Sequence, residues 1–270
     1  MITNRLNNKS GRGLAFLIPA ALCAMLVMSS CAGDEVDQDY FHRGEKSFAS
    51  GKLKEAAKFY ELFLEGQHNS PKRIIAWERL LLIYLDIGRN VDQGMNILRS
   101  MSVEYEMEQD KLWSIYMRIG RLHAQQNNFA GSIETLERAV MMAKDGEQLI
   151  RSYQEMAEVY YKKSEYQSAL EVLNHFLGSI PDPCPDRKGR MTYLLGKIHY
   201  QLKDKQSAIS YLRMTLYSDA GENQRSKAGM LLYEVYLEEN DQAGAEEVLR
   251  ELKKFYPNPM VIRVRLDDLQ

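Results

Sequence analysis

The sequence YQEMAEVYYKKSEYQSALEVL, residues 153–173, decides the fold class. Its apolar residues recur three and four positions apart on both sides of the polar segment KKSE, residues 162–165. These apolar positions are Tyr153, Met156, Ala157, Tyr160, Ala169 and Leu173. Because residues at this spacing occupy one face of a helix, the stretch predicts two short amphipathic helices joined by a tight turn.

The same hairpin pattern recurs from Tyr40 onward, with polar or Gly-containing breaks every 15 to 20 residues. A small residue marks the early part of each second helix, where two backbones must approach closely. These residues are Ala56, Gly94, Ser132, Ala169, Ala208 and Ala245, with a mean spacing of about 38 residues. A fixed period of this kind is the signature of a repeat architecture. We therefore expect an all-α array of about six helical hairpins.

The repeated pattern resembles the tetratricopeptide repeat, in which a bulky residue, Leu-Gly and an aromatic residue precede Ala, a large apolar residue and Pro. The matching residues of repeats two to six are Trp77, Leu80 and Tyr84; Tyr116, Ile119 and Gly120; Tyr153, Met156, Ala157, Tyr160, Ala169, Leu173 and Pro181; Leu195, Gly196, Ala208 and Leu212; and Leu232, Tyr236, Ala245, Leu249 and Pro257. The resemblance covers nearly all of residues 37–259 and implies a right-handed superhelical solenoid with a concave binding face. Three departures stand out: a period above the usual length of about 34 residues, Gly94 in place of Ala, and Arg43 where Leu is usual.

Alternate repeats are more alike than neighbouring ones. Gly44, Gly120 and Gly196 lie 76 residues apart, and the same interval separates Tyr84, Tyr160 and Tyr236. These intervals indicate a building unit of two repeats present three times. A coincidence of linker lengths is the open alternative.

The N-terminus resembles a bacterial lipoprotein signal. Basic residues up to Arg12 precede an apolar run over residues 13–28, which is short for a spanning helix and suits a secretory signal. Small residues, Ser29 and Ser30, precede Cys31, as in the lipobox. We therefore expect a signal peptide over residues 1–30, lipid on Cys31 and a tether over residues 31–36. An ordinary cleaved signal with a chance cysteine is the alternative, and Cys184 alone would remain, without an internal disulfide.

This resemblance also implies a location. Ala32 follows the cysteine where Asp would resemble an inner-membrane retention signal, so we expect a lipid-anchored protein of the outer membrane. Asp34 and Glu35 resemble surface-export signals of other bacteria, which leaves the side of the membrane open, and we favour the periplasmic face.

Composition and motifs argue against catalysis and nucleic-acid binding. Without the first 30 residues, the chain carries 32 basic and 37 acidic residues, so no basic footprint for phosphates is expected. The five histidines are dispersed, and the sequence contains no zinc-binding helix motif, Cys-x-x-Cys pair, phosphate-binding glycine loop or nucleophile elbow. We expect a protein that is not an enzyme and that needs no metal or cofactor.

In tetratricopeptide folds the first helix of each hairpin lines the concave groove, so surface residues of these helices are the candidate contacts. In repeats three to five they are Arg118, Arg121, Gln125, Gln154, Glu158, Tyr161, Arg190, Tyr193, Lys197 and Tyr200. Arg and Tyr are common interface anchors, and this mixture suits a protein segment with acidic character. The resemblance to outer-membrane assembly and pilotin lipoproteins implies a membrane-anchored scaffold that assists an envelope complex. A glycan-binding or envelope synthase accessory lipoprotein is the alternative.

The C-terminal tail, residues 260–270, departs from the expected terminal helix. Pro257 and Pro259 interrupt the last repeat, and Ile262, Val264 and Leu266 then alternate with charged residues. Period-two alternation favours a strand. The tail either folds over the sixth repeat as a loose cap or adds as a strand to the sheet of a partner.

Overall fold

The computed structural model describes residues 39–66, 69–177 and 185–269. All regular structure in these ranges is helical, and no strand occurs in them, which confirms the all-α class. The expected signal peptide, Cys31 and the tether lie outside the described residues, as does Cys184. In the described part of the chain, no helix has both the length and the apolarity that a bilayer crossing requires.

The described residues divide into two compact units, one up to residue 97 and one from residue 98 onward. The first unit contains α1 (residues 39–49), α2 (Leu53–Glu65), α3 (Arg73–Leu81) and the π-helical segment Leu82–Ile87, and α4 (Val91–Glu104) begins in it. Its core is aromatic: the rings of Phe41 and Phe63 lie 5.3 Å apart, and Tyr60 is completely buried. The hydroxyl of Tyr60 donates a hydrogen bond to Glu45 at 2.6 Å, and Arg79 pairs with the same carboxylate at 2.9 Å.

The second unit is a run of antiparallel helical hairpins. Its helices are α5 (Gln109–Gln125), α6 (Phe129–Met142), α7 (Gly146–Lys162), α8 (Tyr166–Leu177), α9 (Pro185–Gln201), α10 (Lys205–Leu216), α11 (Glu222–Glu238), α12 (Gln242–Leu252) and α13 (Pro259–Asp267). Residues 185–189, which begin with Pro185, form the first turn of α9.

Each hairpin turn has one residue with positive φ. These residues are Gly51, Arg89, Asn127, Ser164, Lys203 and Asn240. At Asn127, the turn is a Schellman motif: the N–H of Asn128 donates to the carbonyl of His123 at 2.9 Å, and the N–H of Asn127 donates to Ala124 at 3.2 Å. The side chain of Asn128 then accepts from the N–H of Gly131 and caps α6. One short turn therefore ends one helix and starts the next.

The small marker residue lies five positions after the positive-φ residue in every hairpin, and all six markers are buried. A hypothetical Cβ on Gly120 would lie 2.8 Å from the side chain of Leu136, and one on Gly196 would lie 2.7 Å from Leu212. The hydroxyl of Ser132 donates to the carbonyl of Gly120 at 2.7 Å, which fixes the same crossing. The predicted close approach is therefore observed at the crossing of α5 with α6 and at the crossing of α9 with α10.

Of the two alternatives for the C-terminal tail, the strand is wrong, and the cap over the sixth repeat agrees with the structure, although the cap is a helix, α13, and not a loose segment. The side chain of Asn258 accepts a hydrogen bond from the N–H of Met260, and Pro259 occupies the first turn, where its missing N–H costs nothing. Ile262 is completely buried in the core of the last hairpin, and Leu266 and Leu269 pack against that core. Ile262, Leu266 and Leu269 are four and three residues apart, which is a helical spacing. The period-two alternation of residues 262–266 obscured this spacing in the sequence.

Overpacking the last crossing tests the role of the small residues. Ala245 is completely buried, whereas Ala243 on the same helix is exposed. We expect Ala245→Leu to lower the free energy of unfolding by about 1–3 kcal/mol, because a filled crossing must open to admit the larger side chain. Ala243→Leu, the matched control, should change it by less than about 0.5 kcal/mol. Urea titration of both purified variants measures this difference, and equal effects would contradict the crossing model.

The packing of α13 is tested by truncating one buried and one exposed residue. Ile262→Ala should lower the free energy of unfolding by about 2–4 kcal/mol, because it removes a fully buried side chain. Val264 is 50% exposed on the same helix, so Val264→Ala is the control and should cost less than about 1 kcal/mol. The two melting curves give the comparison. A loose tail would leave both variants as stable as the parent protein.

Candidate functional site

The predicted groove residues of repeats four and five meet at two adjoining cavities in the second unit. A cavity of about 440 Å³ lies among α7, α9 and α11, and a cavity of about 650 Å³ lies between α9, α11 and the connection to α13. Both cavities are lined by Tyr161, Tyr193, Lys197, Asn223 and Lys227, so they form one continuous groove.

The smaller cavity, here called the cationic cavity, is rich in positive charge. Its four basic residues are Lys162, Arg190, Lys197 and Lys227. Among the side chains that the structure describes, one carboxylate, Glu158, lines it, together with the amides of Gln154, Asn223 and Gln224. Its walls therefore carry an excess of hydrogen-bond donors and positive charge.

Half of the residues that line the larger cavity, here called the aromatic cavity, are tyrosines or apolar residues. Its tyrosines are Tyr161, Tyr193, Tyr200 and Tyr256, and its apolar residues are Met230, Leu231 and Pro257. Glu234 is its one lining carboxylate among the described residues. The two cavities thus offer different chemistry along one groove.

Helical periodicity places these side chains on the groove. On α9, Arg190, Tyr193 and Lys197 are three and four residues apart and line the cavities. On the opposite side of α9, Leu195 and Ile198 are almost completely buried. Packing of the apolar face of α9 therefore determines which residues of α9 line the groove.

Lys197 lies at the junction of the two cavities. Its Nζ is 4.1 Å from the ring centroid of Tyr161 and 5.6 Å from that of Tyr193, which are cation–π distances. Desolvation lowers the pKa of Lys197, although the nearby charge of Glu158 acts in the opposite direction. Lys197 forms no ion pair with any described residue. Its positive charge is therefore stabilised mainly by the rings of Tyr161 and Tyr193.

Glu158 is the carboxylate that faces these cations. Burial raises the pKa of Glu158, and the charge of Glu155 adds to this effect. The charges of Lys162 and Lys197 act in the opposite direction, but neither forms an ion pair with Glu158. The protein's own carboxylate therefore leaves the positive charge of the cationic cavity incompletely neutralised.

Three tyrosines of the groove have raised pKa values. Burial raises the pKa of Tyr161 and of Tyr193. Tyr200 donates a hydrogen bond to Glu238, which raises the pKa of Tyr200 to about 12 and lowers that of Glu238. The hydroxyl of Tyr200 is therefore engaged within the protein, whereas its ring still lines the aromatic cavity.

The structure brings together only part of the predicted site. Seven predicted residues line the cavities: Gln154, Glu158, Tyr161, Arg190, Tyr193, Lys197 and Tyr200. The other three lie on α5, outside both cavities. Among them, Arg121 pairs with Glu155 at 2.7 Å, Arg118 is half-buried and Gln125 is exposed.

Sequence reasoning missed the groove residues of α11 and the α12–α13 connection. Lys227, Met230 and Glu234 follow Arg190, Tyr193 and Lys197 by 37 residues each, so the same register applied to the sixth repeat would have found them. Tyr256 had no such signal, because its segment follows the last repeated element.

Two histidines have structural partners at the hairpin turns. The Nδ1 atom of His123 lies 3.1 Å from the side-chain nitrogen of Asn128, and Nδ1 of His199 lies 3.0 Å from a carboxylate oxygen of Asp204. In the part of the chain that the structure describes, no group of three or more His, Cys, Asp or Glu side chains is arranged to hold a metal ion.

Comparisons with known proteins support the repeat fold. Residues 114–145 and 190–214 match the tetratricopeptide repeat family. No curated protein matches the sequence. The C-terminal part of a TPR repeat-containing protein from Cytophaga hutchinsonii has a similar structure, with a TM-score of 0.59 and 15% identity over 85% of this chain and 87% of that chain.

Two further solved structures have a similar fold. Pseudomonas aeruginosa pilF has a TM-score of 0.54 and 14% identity over 88% of this chain and 99% of that chain. PilW, described as a widely conserved type IV pilus biogenesis factor, has a TM-score of 0.54 and 15% identity over 86% of this chain and 98% of that chain. Together with the two matched segments, these likenesses identify the fold as an array of tetratricopeptide-type helical hairpins.

Proposed function

We propose that the protein is a membrane-anchored interaction scaffold that binds an acidic segment of a partner protein in the groove of α7, α9 and α11. The observation that carries this proposal is the convergence of Lys162, Arg190, Lys197 and Lys227 on one concave cavity. Among the described residues, none of these four side chains forms an ion pair. Carboxylates of a partner would supply the missing negative charge.

The groove also has the form that a peptide segment requires. It is continuous across three helices, and side-chain amides of Gln154, Asn223 and Gln224 can pair with peptide N–H and C=O groups. Tyrosine rings beside the cations provide contact area at low conformational cost. A neutral glycan could also stack on tyrosines, but it would leave the positive charge uncompensated, so we favour a protein partner.

The anchor and the location belong to the same proposal. Cys31 would carry the lipid, and a tether of about six residues would hold the first repeat within ~20 Å of the membrane. We propose the periplasmic face of the outer membrane, where the protein would assist the assembly of an envelope complex. The name of PilW, a pilus biogenesis factor with a similar fold, supports an assembly role without defining the partner.

Charge reversal in the groove tests the binding proposal. Arg190 and Lys227 are exposed and line the cationic cavity, so Arg190→Glu/Lys227→Glu should weaken partner capture by about tenfold or more. Helicity and melting temperature should stay nearly unchanged, because exposed charges contribute little to stability. Capture from detergent-solubilised membranes, quantified by mass spectrometry, gives the readout.

The matched control reverses two exposed lysines outside the groove. Lys58→Glu/Lys253→Glu changes the net charge equally but should retain the captured partner. The proposal is wrong if the groove variant captures the same proteins at the same level as the parent, or if both variants lose them equally.

Acylation is tested at the two N-terminal cysteines. Cys31→Ala should accumulate a longer precursor that incorporates no labelled fatty acid, because the thiol that would carry the lipid is gone. Cys23→Ala should be labelled normally, since the large Leu22 precedes that cysteine. Metabolic labelling with radioactive palmitate distinguishes them. Normal labelling of Cys31→Ala would remove the lipoprotein assignment.

A further inference from the structure

The aromatic cavity is larger than the binding of a carboxylate alone would require. Its walls come from separate parts of the chain. Tyr193 is on α9, Met230 and Leu231 are on α11, and Tyr256 and Pro257 belong to the connection between α12 and α13. Its volume of about 650 Å³ is within the usual range of ligand pockets. The pocket therefore depends on the last helix as well as on the repeats.

We propose that the aromatic cavity binds a large apolar side chain of the partner segment, while a neighbouring carboxylate of that segment pairs with Lys197. This inference rests on the proposed function and specifies its ligand: an acidic segment with an aromatic or large aliphatic residue close to the acid. Tyr256 and Met230 are then the residues that set the apolar specificity.

The position of Lys197 links the carboxylate of the ligand to its apolar side chain. It lines both cavities, and its ammonium group is held over the ring of Tyr161 at 4.1 Å. A carboxylate that reaches Lys197 is therefore at the mouth of the aromatic cavity. The apolar side chain must come from a residue near that acid in the ligand sequence.

The chemistry of the walls suits an apolar side chain that is attached to a peptide. Tyrosines and methionine are common in pockets that receive anchor residues, and methionine adapts to the shape of its ligand. Ser226 also lines the aromatic cavity, and its buried hydroxyl has no hydrogen-bond partner within the described residues. A peptide N–H or C=O group at this wall would give that hydroxyl a partner.

The fold holds the Tyr256 wall in place. The N–H of Tyr256 donates to the carbonyl of Leu252 at 2.7 Å, which ties the connection to the end of α12. Two residues later, Asn258 caps α13, and the completely buried Ile262 fixes that helix on the last hairpin. The C-terminal helix thus acts as a positioning element for the pocket as well as a cover for the core.

The probe is a library of random nine-residue peptides, displayed and selected on the detergent-purified full chain. We expect enriched peptides to carry Asp or Glu within about two residues of Phe, Trp, Leu or Met, since both groups must reach adjoining cavities. Enrichment of acidic peptides without an apolar residue overturns this inference. Enrichment of neither feature, or of no peptide, overturns the proposed function as well.

A double-mutant cycle on the best peptide then tests the contact itself. Truncating its apolar residue to Ala should weaken binding about tenfold. Tyr256→Ala and Met230→Ala should each weaken the binding of the parent peptide by a similar factor, but they should hardly change the binding of the truncated peptide. The reason is that the protein substitution and the peptide truncation remove the same contact. The controls Tyr217→Ala and Met214→Ala, at exposed positions outside both cavities, should bind the parent peptide normally.

The outcomes separate the two levels of the proposal. Affinity is measured by fluorescence anisotropy, and circular dichroism checks that each variant is folded. If binding falls with Arg190→Glu/Lys227→Glu but is unaffected by both Tyr256→Ala and Met230→Ala, the apolar pocket is excluded and the acidic groove stands. The apolar pocket would also be excluded if the affinity losses of the protein substitution and of the peptide truncation multiplied, because the two changes would then act independently. If neither set of changes matters, both proposals fail.

Discussion

The close crossing of two helices in each hairpin is the constraint on which the rest of the structure depends. At Gly120, a side chain of any size would collide with Leu136, and Ser132 is short enough to hydrogen-bond the backbone of Gly120 instead. The turn that leads to this crossing needs one positive-φ residue, and four of the six hairpins place Asn or Asp directly after it. These side chains begin the next helix. Turn, cap and crossing therefore recur together.

The groove is a consequence of this repetition. Because each first helix buries one face against its hairpin partner, the residues three and four positions apart on its other face are left for the concave side. On α9 this face presents Arg190, Tyr193 and Lys197, and α11 repeats the register with Lys227 and Met230. Positive charge and apolar surface are thus arranged by the same periodicity that builds the core.

Much of the fold could be predicted from the sequence, because its signals are local and repeated. Six small residues in phase defined the hairpins, and all six are buried. The C-terminal helix was missed, since residues 262–266 also satisfy a period of two, and the capping role of Asn258 depends on geometry. The site was found on α7 and α9 and was missed on α11, to which the same repeat register also applies. It was missed at Tyr256 as well, where three-dimensional packing brings in a segment without a repeat equivalent.

We propose that a partner segment lies in the groove of α7, α9 and α11. Site-specific photocrosslinking in living cells tests this most directly, with a benzophenone amino acid replacing Tyr193 in the groove or Tyr217, which is 45% exposed outside it. We expect a crosslinked partner from position 193 and none from position 217. Crosslinks from position 217 alone, or equally from both positions, would contradict it.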